Sequence, residues 1–194
     1  MTAGVEIPLF PLTTVLFPGG PLPLRIFEAR YVDLVGRCMR DGSGFGVVQI
    51  LEGREAGGSA TTCDVGTYAR IVDFSQQAAG LLGIRAVGER RFRIRARRQE
   101  RDGLNLAQVD WLPDGPSLDL PGEFAALGPL IEAALSRFAQ LYQGMERRPQ
   151  DAAWVAARLA EVLPVPLRHK QHCLELDDPV ERIRYLCPLF EIAR

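Results

Sequence analysis

The chain has 194 residues, 47% of them hydrophobic and 24% charged, with a formal net charge of −1. That length buries a substantial core as one domain or two small ones, and the composition is that of an ordinary soluble globular protein. The near-neutral charge excludes a chain built as a whole to bind polyanions. Cys38, Cys63, Cys173 and Cys187 are scattered with no C-x-x-C pair, so they read as buried small hydrophobes in a reducing compartment rather than as zinc or redox centres. The opening M-T-A-G-V-E-I lacks the basic and apolar regions of a signal peptide, and no window approaches the ~18 apolar residues of a membrane span. A cytoplasmic location away from membranes is expected.

Residues 5 to 35 combine apolar density with Pro8, Pro11, Pro18, Pro21 and Pro23. Proline has no N–H, so β segments here are expected at edges, bulges or turns. Pro18-Gly19-Gly20 reverses the chain, and Leu22, Leu24 and Ile26 alternate as a strand that feeds a helix starting near Glu28. Phe27, Tyr31, Leu34, Val35 and Cys38 are spaced to form its buried face, with Glu28 in the first turn where a carboxylate suits the helix dipole.

Phe45 to Leu51 reads as a strand, followed by a polar loop from Glu52 to Thr62. In the next strand Val65, Tyr68, Ile71 and Phe74 are the expected inward positions, with a bulge at Gly66. A further strand runs from Leu81 to Val87 and is interrupted by Gly88. In residues 90 to 98, Phe92, Ile94 and Ala96 are expected to point inward and Arg91, Arg93, Arg95 and Arg97 outward. Asp102-Gly103 then turns the chain back antiparallel.

From Pro113 onward the periodicity is helical. Phe124, Leu127, Leu130, Ile131, Leu135, Phe138, Leu141 and Tyr142 form one stripe ending at Gly144, with Pro129 marking a kink or the true start. A second helix runs from about Asp151 to Pro164 on Trp154, Val155, Leu159 and Val162. Pro166 opens a third, and Asp178-Pro179-Val180-Glu181 opens a fourth that buries Ile183, Leu186, Cys187 and Phe190. The expected fold is α+β: small irregular β-barrel or paired sheets with one packed helix over residues 1 to 115, then a helical bundle over 116 to 194, as two subdomains of one compact unit.

The runs I-P-L-F-P-L, P-G-G-P-L-P-L and I-F-E-A-R-Y, then V-G-T-Y-A-R-I, A-V-G-E-R-R-F-R-I and V-A-A-R-L-A-E-V-L-P-V-P-L-R-H-K-Q-H-C-L-E-L, resemble the N-terminal, substrate-binding domain of the Lon proteases, in the stand-alone bacterial form. Agreement extends to Lys170, Gln171, Leu174, Glu175, Glu181 and Arg182. Neither the G-x-x-x-x-G-K-[ST] loop nor the Ser-Lys dyad of a full Lon protease is found in these residues. The resemblance implies a non-enzymatic module that binds unfolded or degron-bearing polypeptide, or a partner protein. Phe10, Leu12, Leu16 and Phe17 of the proline-rich opening are the candidate contacts, with the loop from Glu52 to Thr62 beside them.

The alternative comes from seven arginines between Arg90 and Arg101. Barrels of this type resemble the PUA-like folds of RNA modification, and Arg91, Arg93, Arg95 and Arg97 would form a phosphate-binding stripe for RNA. Glu89, Glu100, Asp102 and Asp110 could instead neutralise it. His169 and His172, with Cys173, Glu175 and Asp177 nearby, raise the question of a metal site. A catalytic centre needs a further ligand converging from elsewhere, so no metal, other cofactor or catalytic residue is expected. Lys170 and Gln171 are expected to bridge their helix to the preceding loop. The apolar content is compatible with a homodimer.

Overall fold

Strands with proline can join a ring of strands only where one side of the backbone is open, and β1 (Val5–Leu12) meets that condition by changing partner midway. Residues 5 to 8 pair antiparallel with β7 (Asn105–Trp111), and residues 9 to 12 pair parallel with β3 (Gly44–Glu52). Each half therefore has an open side, where Pro8 and Pro11 cost no ladder bond. β7 continues to β6 (Leu82–Gln99), β6 to β5 (Val65–Gln76) and β5 back to β3, so five strands close a ring. β2 (Pro21–Ile26) attaches outside the ring to β6, with Pro21 and Pro23 on an edge strand as expected, and β4 (Thr61–Thr62) attaches to β3.

The structure, a computed structural model, describes residues 4–55, 60–76, 82–113 and 118–192, with backbone alone at 76 and 190–192. It divides into two units, Met1–Leu112 and Pro113–Arg194. The mixed α+β architecture agrees with the sequence reading.

In the first unit α1 (Ala29–Asp41) buries Tyr31, Leu34, Val35 and Cys38 against Phe10, Leu22, Ile26, Phe45, Val47 and Leu106. Phe10 and Tyr31 stack with centroids 4.0 Å apart. Alternate residues of the same strands, among them Ile7, Leu9, Val48, Phe92, Ile94 and Val109, bury a second cluster on the opposite face. Glu28 lies just before the helix as its N-cap residue, not in the first turn, and its carboxylate pairs with Arg30 at 2.8 Å instead of capping. Arg30 also donates to the Gly103 carbonyl at 2.8 Å, which makes this group structural. Gly42, at φ 64°, ends the helix.

Several side chains depart from the alternation expected of ideal strands. Gly66 is no bulge: it pairs in register with Phe92, and an added Cβ would lie 2.3 Å from the Val47 carbonyl oxygen. Gly88 does not interrupt the strand; β6 runs on for 18 residues, with its extra residue at Glu89 and another at Arg95, while β5 has one at Val72. Phe27 is 66% exposed, because it follows the end of β2 before the helix begins. Beyond Arg70 β5 has lost β3 as a neighbour, so Phe74 is 59% exposed. Ala96, past the Arg95 bulge, is exposed as well.

In the second unit a 3-10 turn at Gly122–Phe124 precedes α2 (Leu127–Ser136), α3 (Ala152–Val162), α4 (Leu167–Glu175) and α5 (Pro179–Ile192). Pro129 sits in the first turn of α2, where its missing N–H costs nothing. α2 ends at Ser136, and residues 137 to 144 follow as turns closed by Gly144 at φ 75°. The expected stripe is therefore broken, and Leu130 and Phe138 are exposed. The Phe190 side chain lies outside the described residues.

α3 is buried along almost its whole length, its alanines allowing close approach. The Asp151 carboxylate caps it, accepting from Trp154 N at 2.7 Å. Asp151→Ala is expected to cost about 1 kcal/mol, read as a lower urea midpoint with unchanged slope. In its last turn, Glu161 accepts from Arg158 at 2.7 Å and from the Tyr142 hydroxyl at 2.9 Å, and Lys170 donates to the Glu161 carbonyl at 2.9 Å.

Burial pushes the Glu161 carboxyl above its ordinary range, against the pull of Arg158 and Tyr142. The native state thus holds that proton more tightly than the unfolded chain. The resulting stability is present below the unfolded carboxylate range and is lost as pH rises through the folded value. Denaturation of the wild type and Glu161→Gln at pH 5 and pH 8 should show the wild type losing ground to the variant at the higher pH.

Candidate functional site

The four candidate contacts of the proline-rich opening do not form a surface. Phe10, Leu12, Leu16 and Phe17 are all buried, Phe17 fully, because both halves of β1 are paired and the following loop folds over the ring. The Thr67 hydroxyl donates to the Leu16 carbonyl at 2.6 Å, which ties that loop down. Glu55 accepts from Thr13, at 2.5 Å from its N–H and also from its hydroxyl, and holds the start of the Glu52–Thr62 loop beside β1. Residues 56 to 59 of that loop lie outside the described residues.

Three exposed apolar side chains of the first unit, Met39, Val72 and Phe74, gather elsewhere. Where β3 begins at Gly44, opposite Arg70, the chain turns away into α1 and leaves the last six residues of β5 with β6 as their neighbour on one side. Between that strand edge and the C-terminal turn of α1 lies a groove of about 320 Å³, lined by Cys38, Met39, Ser43, Ile71, Val72 and Phe74. Met39 is 45% exposed, Val72 51% and Phe74 59%. The Phe74 N–H donates to the Asp73 carboxylate at 2.9 Å. Such an edge can accept an extended chain through its backbone while the groove takes alternate side chains.

The arginine strand is largely spoken for. Arg91 is 3% exposed, opposite buried Thr67 on a face the loop covers, and so does not point to solvent as expected. Arg95 pairs with Asp110 at 2.5 Å and Arg97 with Asp64 at 2.7 Å. Arg98 grips both oxygens of Glu6, holding that carboxyl below its usual range. The Arg90 guanidinium lies 3.4 Å from the Trp111 ring centre. Arg93 is exposed, with no ion-pair partner among the described residues.

In the second unit, His169 Nδ1 is 2.6 Å from the Tyr185 hydroxyl, and no group of three metal-ligating side chains occurs among the described residues. No disulfide joins the four cysteines; Cys38, Cys63 and Cys173 are buried and Cys187 is part-exposed. Burial raises the Cys38 thiol and pushes Cys173 up to about 11. At pH 8 a disulfide reagent is therefore expected to label one thiol of the folded protein quickly and the other three only on unfolding. No helix among the described residues is long and apolar enough to cross a membrane.

The family model described as the ATP-dependent protease La (LON) substrate-binding domain matches residues 6–191. The chain belongs to that family. A Lon N-terminal domain protein from Xanthomonas campestris, solved by crystallography, superposes with a TM-score of 0.78 at 37% identity, covering 94% of this chain and 96% of that one. The N-terminal domain of a Mycobacterium avium complex Lon protease shares the fold, with a TM-score of 0.65 at 21% identity over 96% and 98% of the two chains. Lon protease 2 of Myxococcus xanthus is 29% identical over 97% of this chain, and protein cereblon of Danio rerio is 31% identical over 56% of it. The chain spans 24% and 26%, respectively, of those two relatives' own lengths.

The Lon-like positions of the second unit hold the fold. Lys170 bridges α4 to the end of α3, Gln171 donates to Glu175 at 2.8 Å, and Arg182 donates twice to the Leu176 carbonyl at 2.9 and 2.6 Å. The groove residues Met39, Val72 and Phe74 escaped sequence reasoning. Their signal was a strand pattern running several residues past the length of its neighbour, which becomes visible only once register is known.

Proposed function

We propose that this Lon-domain chain recognises extended, apolar polypeptide segments by binding alone, and that the groove beside β5 is where they dock. The observation that carries the reading is the cluster of exposed Met39, Val72 and Phe74 along a strand edge with an open side, in a substrate-binding family. Main-chain hydrogen bonds to the edge recognise any extended sequence, and the groove selects apolar side chains. Apolar burial is not screened by ions, so such binding should survive high salt. The test is fluorescence anisotropy with reduced, carboxamidomethylated α-lactalbumin as an unfolded client, with the folded protein as control. Binding of the unfolded form alone, retained in 0.5 M NaCl, supports the reading.

The arginine strand has less behind it as an RNA surface, since three of its four outward candidates are buried or ion-paired. Tight, steeply salt-dependent binding of a single-stranded RNA that is lost in Arg93→Ala would reverse the order of the two readings.

A further inference from the structure

The outer face of the sheet formed by β2, β6 and β5 carries a second hollow, of about 530 Å³. The strand registers set Arg25 and Ser75 on either side of Gly83, and Pro23 and Asp73 on either side of Arg85. These six residues consequently share one face of the sheet. Gly83 contributes no side chain and forms the floor, with guanidinium groups to one side and along its own strand.

Asp73 lies 4.0 Å from Arg85 across the sheet, while Arg25 is exposed and has no ion pair among the described residues. Among the described residues lining the hollow, two cations face one carboxylate, which favours an anionic group there. Phe74 lines both this hollow and the apolar groove. Phe74 is in register with Ile84, so its ring belongs to the groove face and the arginines to the other, and a chain extended along the edge of β5 turns alternate side chains to each face.

We propose that this hollow is a carboxylate-binding subsite, in which Arg25 and Arg85 receive an acidic side chain or the terminal carboxylate of the polypeptide docked at Phe74. The inference rests on the polypeptide reading above and narrows it to apolar segments that carry an adjacent carboxylate. The planar guanidinium fork matches a carboxylate with two parallel hydrogen bonds, and the Ser75 hydroxyl can add a third donor. Asp73 disfavours a second acid, which limits the subsite to one.

The test uses fluorescein-labelled peptides with a common Leu-Ser-Phe-Ser-Val core. One ends in Asp-Gly-Gly with an amidated terminus, one in Asn-Gly-Gly amidated, and one in Asn-Gly-Gly with a free carboxylate. Against the full chain, at least one carboxylate peptide is expected to bind about five-fold tighter than the neutral peptide, and which one identifies the carboxylate's source. The advantage should vanish in Arg25→Gln and Arg85→Gln while the neutral peptide keeps its affinity. In the wild type it should shrink as NaCl rises, a readout that requires no variant to fold. Equal binding of all three peptides, or an advantage untouched by either substitution and by salt, overturns the subsite and leaves the apolar groove standing. Failure of every peptide to bind removes both.

Discussion

Replacing Phe74 by serine is expected to weaken binding of unfolded polypeptide about ten-fold or more, as loss of a central aromatic anchor does. Stability should change by less than about 1 kcal/mol, because the ring is 59% exposed and carries little of the core. Met39→Ser should act in the same direction more weakly, since a flexible thioether fills a groove less specifically than a ring. Kd by anisotropy and a urea titration on each variant separate recognition from folding. Unchanged affinity in both variants would remove the groove as the docking place whatever the protein binds.

The largest stability effect is expected at Phe92. Its ring is fully buried and rests on two glycines of neighbouring strands, with added Cβ atoms at Gly46 and Gly66 lying 2.6 and 2.7 Å from its Cζ. Phe92→Ala should cost about 3–5 kcal/mol, and an alanine at either glycine about 1–3 kcal/mol by overpacking. The two glycines differ in what else they meet. At Gly46 the near atoms belong to the Phe92 and Ile7 side chains, whereas at Gly66 the nearest is the Val47 backbone oxygen at 2.3 Å. A smaller side chain at 92 should therefore rescue one site and not the other. Gly46→Ala combined with Phe92→Leu should cost clearly less than the sum of the single changes, while Gly66→Ala with Phe92→Leu should cost about the sum. Chemical denaturation of the six proteins tests this, and equal coupling at both sites would contradict the packing described.

Much of the fold could be read from residue patterns because it rests on local signals. The α1 face of Tyr31, Leu34, Val35 and Cys38, the Asp102-Gly103 turn, the start of α3 at Asp151 and the Asp178 cap all stand where spacing places them. What could not be read depends on register. A single extra residue at Glu89 or Arg95 shifts which arginines face outward, and nothing in R-R-F-R-I-R-A-R-R distinguishes a bulged strand from a straight one. Phe10 and Phe74 illustrate the same limit from opposite sides. Phe10 sits in a proline-rich stretch that looks like an exposed edge yet is paired and covered, while Phe74 continues an inward pattern past the point where its cover ends. Composition says what a side chain prefers, and only the partner strand says what it gets.

The double pairing of β1 also sets an order of events for the growing chain. The first strand needs β7, about a hundred residues later in the sequence, before its N-terminal half has any partner. During synthesis the ring cannot close until Trp111 has left the ribosome, so Val5 and Ile7 wait without their partner strand while the intervening strands form. That apolar segment is then, for a time, the kind of chain a polypeptide-recognition module would bind. The prolines that fit it to a one-sided ladder also keep it from pairing with its own kind while it waits.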